Sequence, residues 1–177
     1  MVVPVRPTRR GVIGWSAGVL ALGGCGFRPL YGTVGESAEV RERLSEINVL
    51  LMPERSGQLM RQALISRLQR GGTGVARRFD LAVQYSLAGE AIAIQPDNST
   101  SRVRLIGTAR WTLTAQDGQR RTVTSGAVRE VDGYNIINQQ FFASELTSNA
   151  VQERIANALA EQITMQLALH FSRQTSG

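Results

Sequence analysis

Apolar and polar residues alternate from Phe79 to Leu87: Phe79, Leu81, Val83, Tyr85 and Leu87 hold the odd positions, and small or polar residues stand between them. Successive strand side chains point to opposite faces, so this stretch predicts a half-buried strand. Ala91 to Ile94 predicts its continuation after a break at Gly89. The alternation returns from Arg102 to Thr114. Val103, Leu105, Ala109, Trp111 and Leu113 share one face, and Arg102, Arg104, Thr108, Arg110 and Thr112 share the other. Residues 96–100, Pro-Asp-Asn-Ser-Thr, have turn chemistry. Asp117-Gly118 signals a hairpin, with Arg121 to Val131 as the returning strand.

Other segments follow a different period. Glu46 to Met52, "EINVLLM", is a short apolar run ended by Pro53 and predicts a strand buried on both faces. From Glu54 to Arg70, Met60, Leu64 and Leu68 recur every four residues, which predicts a helix. Pro53 precedes it and Gly71-Gly72 follow it, as helix boundaries require. A long helix is predicted over Phe142 to Phe171, where Val151, Ile155, Leu159, Ile163 and Leu167 step by four. Ser37 to Leu44 predicts one or two further helical turns. The order β-α-β-β-β-α predicts an α+β fold: one four-stranded mixed sheet with two helices packed on one face, its β-α-β part a right-handed crossover.

The first 24 residues break this pattern. Met1 to Arg10 carries three arginines and no acid, and Gly11 to Leu22 is apolar and uncharged. That run is shorter than the roughly 20 residues a membrane-spanning helix needs. A basic head, a short apolar centre and small residues form the layout of a secretory signal peptide. Leu22-Gly23-Gly24-Cys25 then resembles the lipobox of bacterial lipoproteins. The expected cleavage lies between Gly24 and Cys25. The Cys25 thiol would take a diacylglycerol group as a thioether, and its freed amino group an N-acyl chain such as palmitate. Two or more acyl chains anchor stably where one is marginal. Gly26 stands where lipoproteins kept in the inner membrane often carry aspartate, which points to the outer membrane. Thr8-Arg9-Arg10 leaves the general secretory and twin-arginine routes both open. The division expected is a signal peptide over 1–24, a lipidated tether over 25–45, the folded domain over 46–172 and a tail over 173–177.

Composition narrows the chemistry. The 177 residues carry 20 basic and 14 acidic side chains, and every basic one is arginine. Without the first ten residues the balance is 17 minus 14, or +3, too mild to call for nucleic acid. His170 is the only histidine and Cys25 the only cysteine, so neither a metal site nor a catalytic pair can be assembled from them. Gly71 to Gly74 lacks the lysine of a phosphate loop. Glu130 and Asp132, two apart beside Gly133, read as a solvated pair rather than an acid and base. No enzyme, metal or cofactor is expected. What remains is arginine on strands: Arg102, Arg104 and Arg110 on one face, with Arg120 and Arg121 at the hairpin. Two readings stay open for them, a solvated outer face and a contact with an anionic amphiphile or a partner's wall.

The run Cys25-Gly26-Phe27-Arg28-Pro29-Leu30-Tyr31-Gly32, joined to the lipobox, resembles the start of the LptE family of lipopolysaccharide-assembly lipoproteins, in its alphaproteobacterial form. The element order and Gly133-Tyr134-Asn135, expected between the last strand and last helix, extend the likeness. The resemblance implies an outer-membrane lipoprotein, lipid-anchored and facing the periplasm. It implies a plug in the β-barrel protein LptD that helps assemble the barrel and takes part in moving lipopolysaccharide to the cell surface. A free-standing lipoprotein that binds a lipid or other amphiphile is the alternative. The five arginines are candidate contacts by strand geometry, not by transfer from the family.

Overall fold

A computed structural model describes residues 36–69, 75–94, 100–136 and 141–175, all within one folding unit, Thr33–Gly177. The lipobox-like run with Cys25, the segment that follows it, Gly71 to Gly74 and residues 96–99 lie outside the described residues.

Seven elements follow one another: α1 (Glu36–Ser45), β1 (Ile47–Val49), α2 (Glu54–Leu68), β2 (Phe79–Ile94), β3 (Thr100–Ala115), β4 (Thr122–Asn135) and α3 (Phe141–Thr175). The strands lie in the order β1-β2-β3-β4; β1 runs parallel to β2, and the other pairs are antiparallel. This is the predicted α+β sheet. α2 packs against β1 and β2, and α3 against β3 and β4. α1, the ten-residue helix foreshadowed at Ser37 to Leu44, packs against α3 and α2. α2 carries Glu54 in its first turn and Arg67 in its last, charges that suit the two ends of the helix dipole.

The core lies between sheet and helices. Leu81, Leu105, Ala109, Trp111 and Leu113 supply the sheet side, and Met60, Leu64, Ile155, Leu159, Ile163 and Leu167 the helix side. Each large aliphatic side chain buried there contributes about 1.5–3 kcal/mol. α3 approaches β3 at Gly107 so closely that a Cβ there would stand 2.3 Å from Ile155 Cγ2. Across the β3–β4 ladder Trp111 faces Gly126, and its ring fills the place of the missing side chain. The indole Nε1–H donates to Gln166 Oε1 of α3 at 3.2 Å, so the buried tryptophan keeps a polar partner.

Four expectations need correction. β1 covers Ile47–Val49 rather than Glu46–Met52, and only one of its faces is buried: Ile47 and Val49 face the core while Asn48 faces outward to Asp80. The chain leaves the sheet after Leu50, exposing Leu51, because Met52 must tuck against Gly57 to start α2. Gly89 does not break β2; it pairs with Leu105, and the irregularities come later, between Ala91 and Ile94. A continuous antiparallel partner holds a glycine in line despite its weak strand preference. Gly133-Tyr134-Asn135 belongs to the end of β4, paired with Arg104, Val103 and Arg102, rather than to a connection. Glu130 and Asp132 point to the helix side. Gln162 donates to Glu130 at 2.9 Å, and Arg154 Nε to Asp132 at 2.8 Å, so both carboxylates tie the rim of the sheet to α3.

Candidate functional site

Strand register makes the second face of the sheet. Across β2, β3 and β4 the rows read Gln84–Arg110–Ala127, Ser86–Thr108–Arg129, Ala88–Ile106–Val131 and Glu90–Arg104–Gly133. No helix of the described residues packs on this face, whose residues are half-buried or exposed. It is polar, with small side chains and several arginines.

The five predicted arginines fall into two groups. Arg104 is engaged, its guanidinium donating to Glu90 Oε2 at 2.6 and 3.1 Å. Arg121 is engaged likewise, Nε to Asp117 Oδ2 at 3.0 Å. Hydrogen bonding from Arg121 holds the Asp117 carboxyl below its ordinary range. Arg102, Arg110 and Arg120 have no acidic partner among the described residues. Arg120 sits in the hairpin with φ 48°, a left-handed conformation carried by the tight turn after Asp117. Arg102 and Arg110 are separated by about 27 Å of strand, so the five do not form one cluster.

Sequence reasoning missed Arg129. It stands diagonally across the β3–β4 ladder from Arg110, on the same face and also without an acidic partner among the described residues. Period two counted back from the hairpin would have found it, but the register shift between Leu113 and Thr114 displaces that count by one. Arg110 and Arg129 form the central cationic pair. The Ser86 and Thr108 hydroxyls, hydrogen-bonded at 2.7 Å, lie beside them. Such a surface can accept carboxylates or phosphates through planar, forked hydrogen bonds.

The opposite rim carries carboxylates with structural duties. Hydrogen bonding from Arg154 lowers the Asp132 carboxyl, assisted by the Gly133 N–H. Buried Glu46, where α1 meets β1, lies 3.6 Å from Arg43 and 3.5 Å from Arg78. The Arg77 guanidinium donates to the Ser45 and Ile47 carbonyls, closing the same junction. Burial raises the Tyr85 hydroxyl pKa on the core side of β2. His170 lies at the end of α3 near Gln174, and its ring meets Phe171 edge-on. Among the described residues no group of three or more His, Cys, Asp or Glu is placed to hold a metal.

Comparisons with known proteins follow this architecture. A protein from Caulobacter crescentus CB15, described as a lipoprotein, is similar over 78% of this chain and 98% of its own, at 23% identity and a TM-score of 0.65. The rare lipoprotein B of Shewanella oneidensis is similar over 69% of this chain and 91% of its own, at 12% identity and a TM-score of 0.51. A minor lipoprotein of Acinetobacter baumannii gives 71% and 92%, 14% identity and a TM-score of 0.52. At these identities the likeness is one of fold. No curated protein matches in sequence. The model of the family described as "LptE: Lipopolysaccharide-assembly" matches residues 44–167, which span all four strands and most of both long helices. The chain belongs to the LptE family of lipopolysaccharide-assembly proteins.

Proposed function

We propose that this protein is an outer-membrane lipoprotein, held by acyl chains on Cys25 and facing the periplasm, that plugs an LptD-type β-barrel. In that place it helps assemble the barrel and takes part in lipopolysaccharide transport to the cell surface. It acts by binding, without catalysis, and membership of a non-catalytic assembly family fits that role. The observation that carries the reading is the family match over 44–167, joined to the lipobox at Leu22 to Cys25.

The physical form supports it. A barrel lumen is polar, so a plug must fold on its own core and present polar surface outward. Here the core is closed by α2 and α3, and the uncovered sheet face offers hydroxyls and arginines. On the sheet and its hairpin, Arg102, Arg110, Arg120 and Arg129 are available to lipopolysaccharide or to the barrel wall; Arg104 and Arg121 already serve Glu90 and Asp117.

Two measurements test the reading. Mass spectrometry of the native protein is expected to show a chain beginning at Cys25 with added acyl mass; an unmodified chain beginning at Met1 sinks the anchor. Mild detergent extraction is expected to recover the protein with a large outer-membrane barrel. Recovery alone, with lipopolysaccharide bound to the isolated domain, would favour a free-standing amphiphile binder.

A further inference from the structure

β1 is three residues long and its neighbour β2 is sixteen. Their parallel ladder covers Phe79, Asp80 and Leu81, and the Leu50 N–H adds one bond to the Leu81 carbonyl at 3.0 Å. The chain then leaves the sheet for α2. From Val83 onward, no strand of the described residues pairs with the outer edge of β2. Main-chain groups of successive residues point alternately to the two edges of a strand. The Phe79 N–H and Leu81 C=O point toward β1. Val83, Tyr85, Leu87, Gly89 and Ala91 therefore aim their N–H and C=O groups outward, along an edge about 26 Å long.

Natural sheets blunt such edges with charge, proline, bulges or brevity. β1 is short, and Arg61 Nε donates to its Val49 carbonyl at 3.3 Å. β4 carries Arg129, Glu130 and Asp132. Between Val83 and Gly89, β2 has neither a charged residue nor a proline, and its irregularities begin only at Ala91. Among the described residues nothing protects this edge.

Unpaired main-chain groups call for a main-chain partner. We propose that the outer edge of β2, from Val83 to Ala91, receives an extended segment of the barrel partner as an added strand in line with β1. The inference rests on the barrel reading given above. On the covered side the segment runs beside Val83, Tyr85 and Leu87 and so carries apolar residues at alternate positions. On the open side it runs beside Gln84, Ser86, Ala88 and Glu90. Glu90 is taken by Arg104, whereas Arg110, in register with Gln84, has no acidic partner among the described residues. A long carboxylate side chain on the segment opposite Gln84 lies two strands, about 9.6 Å, from Arg110 and pairs with it only by reaching across Gln84. Main-chain bonds supply affinity in this mode, and the alternating side chains set the register.

Gly89 permits a specific test. A Cβ at Gly89 stands 3.4 Å from Leu105 Cδ2 and 3.8 Å from Val103 Cγ1, ordinary contact distances, so Gly89→Ala fits. Gly89→Pro deletes one outward N–H and leaves intact the bonds to β3, which the even-numbered residues make. The full-length protein carries a benzophenone side chain in place of Ser86 and is crosslinked in the cell envelope. The expected adduct joins this position to the barrel in the parent and in Gly89→Ala, and falls about tenfold in Gly89→Pro. An undiminished adduct in folded Gly89→Pro overturns the proposal. So does an adduct only to a second copy or to this chain's own N-terminal segment. Amide exchange needs no variant: the Tyr85 and Leu87 N–H groups are expected to slow in the purified complex, and equal rates in free and bound protein overturn the proposal. Co-purification with the barrel but no adduct at Ser86 defeats the added strand alone; absence of co-purification defeats the barrel reading and this inference with it.

Discussion

The two faces of β3 are built from alternate residues of the same sixteen, yet they are completed by different means. The odd face is finished within the chain. Leu105, Ala109, Trp111 and Leu113 are buried, α3 closes over Gly107, and Trp111 has both a glycine beneath it and a hydrogen-bond partner. The even face is finished only in part. Arg104 and Thr108 have partners from β2, while Arg102 and Arg110 have no acidic one among the described residues. Interiors are packed to crystal density and tolerate little change, whereas an exposed polar face tolerates much. The difference separates what holds the fold together from what is available for binding.

The largest break in that comparison is expected on the closed face. Leu159 is fully buried between helix and sheet, and Leu159→Ala is expected to cost about 3 kcal/mol in urea unfolding. Gly107→Ala comes next. Its methyl group overlaps Ile155, so a loss of about 2 kcal/mol is expected from overpacking. Adding Ile155→Ala, which removes Cγ2, tests that cause: if the overlap with Ile155 Cγ2 is not the origin, the double variant will show no recovery relative to the sum of the two single effects.

The rim sharpens the contrast. Asp132 is partly exposed, and its pair with Arg154 is screened, so Asp132→Asn is expected to cost less than about 1 kcal/mol at neutral pH. The folded carboxyl lies below its unfolded value. The stability it adds is therefore fully present above about pH 4 and is lost as pH falls through the lowered folded pKa. The gap in urea midpoint between wild type and Asp132→Asn should close in acid; a gap unchanged from pH 7 to pH 3 would remove the linkage.

On the open face, Arg110→Gln with Arg129→Gln is expected to leave stability within about 0.5 kcal/mol. The same double change should reduce recovery of the barrel partner, measured by quantitative co-purification. A large drop in melting temperature with recovery unchanged would reverse the roles assigned to the two faces.

Period-two and period-four patterns were enough to place β2, β3, α2 and α3, because each buries one stripe against another layer and the stripe is written directly in residue order. The same patterns failed at β1. An apolar run has no period to show where a strand stops, and Leu51 is exposed only because Met52 must reach Gly57. Glu130 and Asp132 read as solvent-facing charges because their partners, Gln162 and Arg154, lie 32 and 22 residues away. Of the arginines, the sequence showed which share a face of β3. It could not show that Glu90 takes Arg104, since pairing across strands depends on register, whereas Asp117 and Arg121 pair locally, four residues apart in the hairpin.

Residue order alone therefore determined the fold class and the division into covered and uncovered faces, because local periodicity needs no distant partner. Only the tertiary structure decided which arginines stand without acids among the described residues, that Arg129 joins Arg110, and that β1 ends early enough to leave the edge of β2 without a described strand beside it. Those outcomes depend on register shifts and on where helices pack, and both are settled by contacts between residues far apart in the chain.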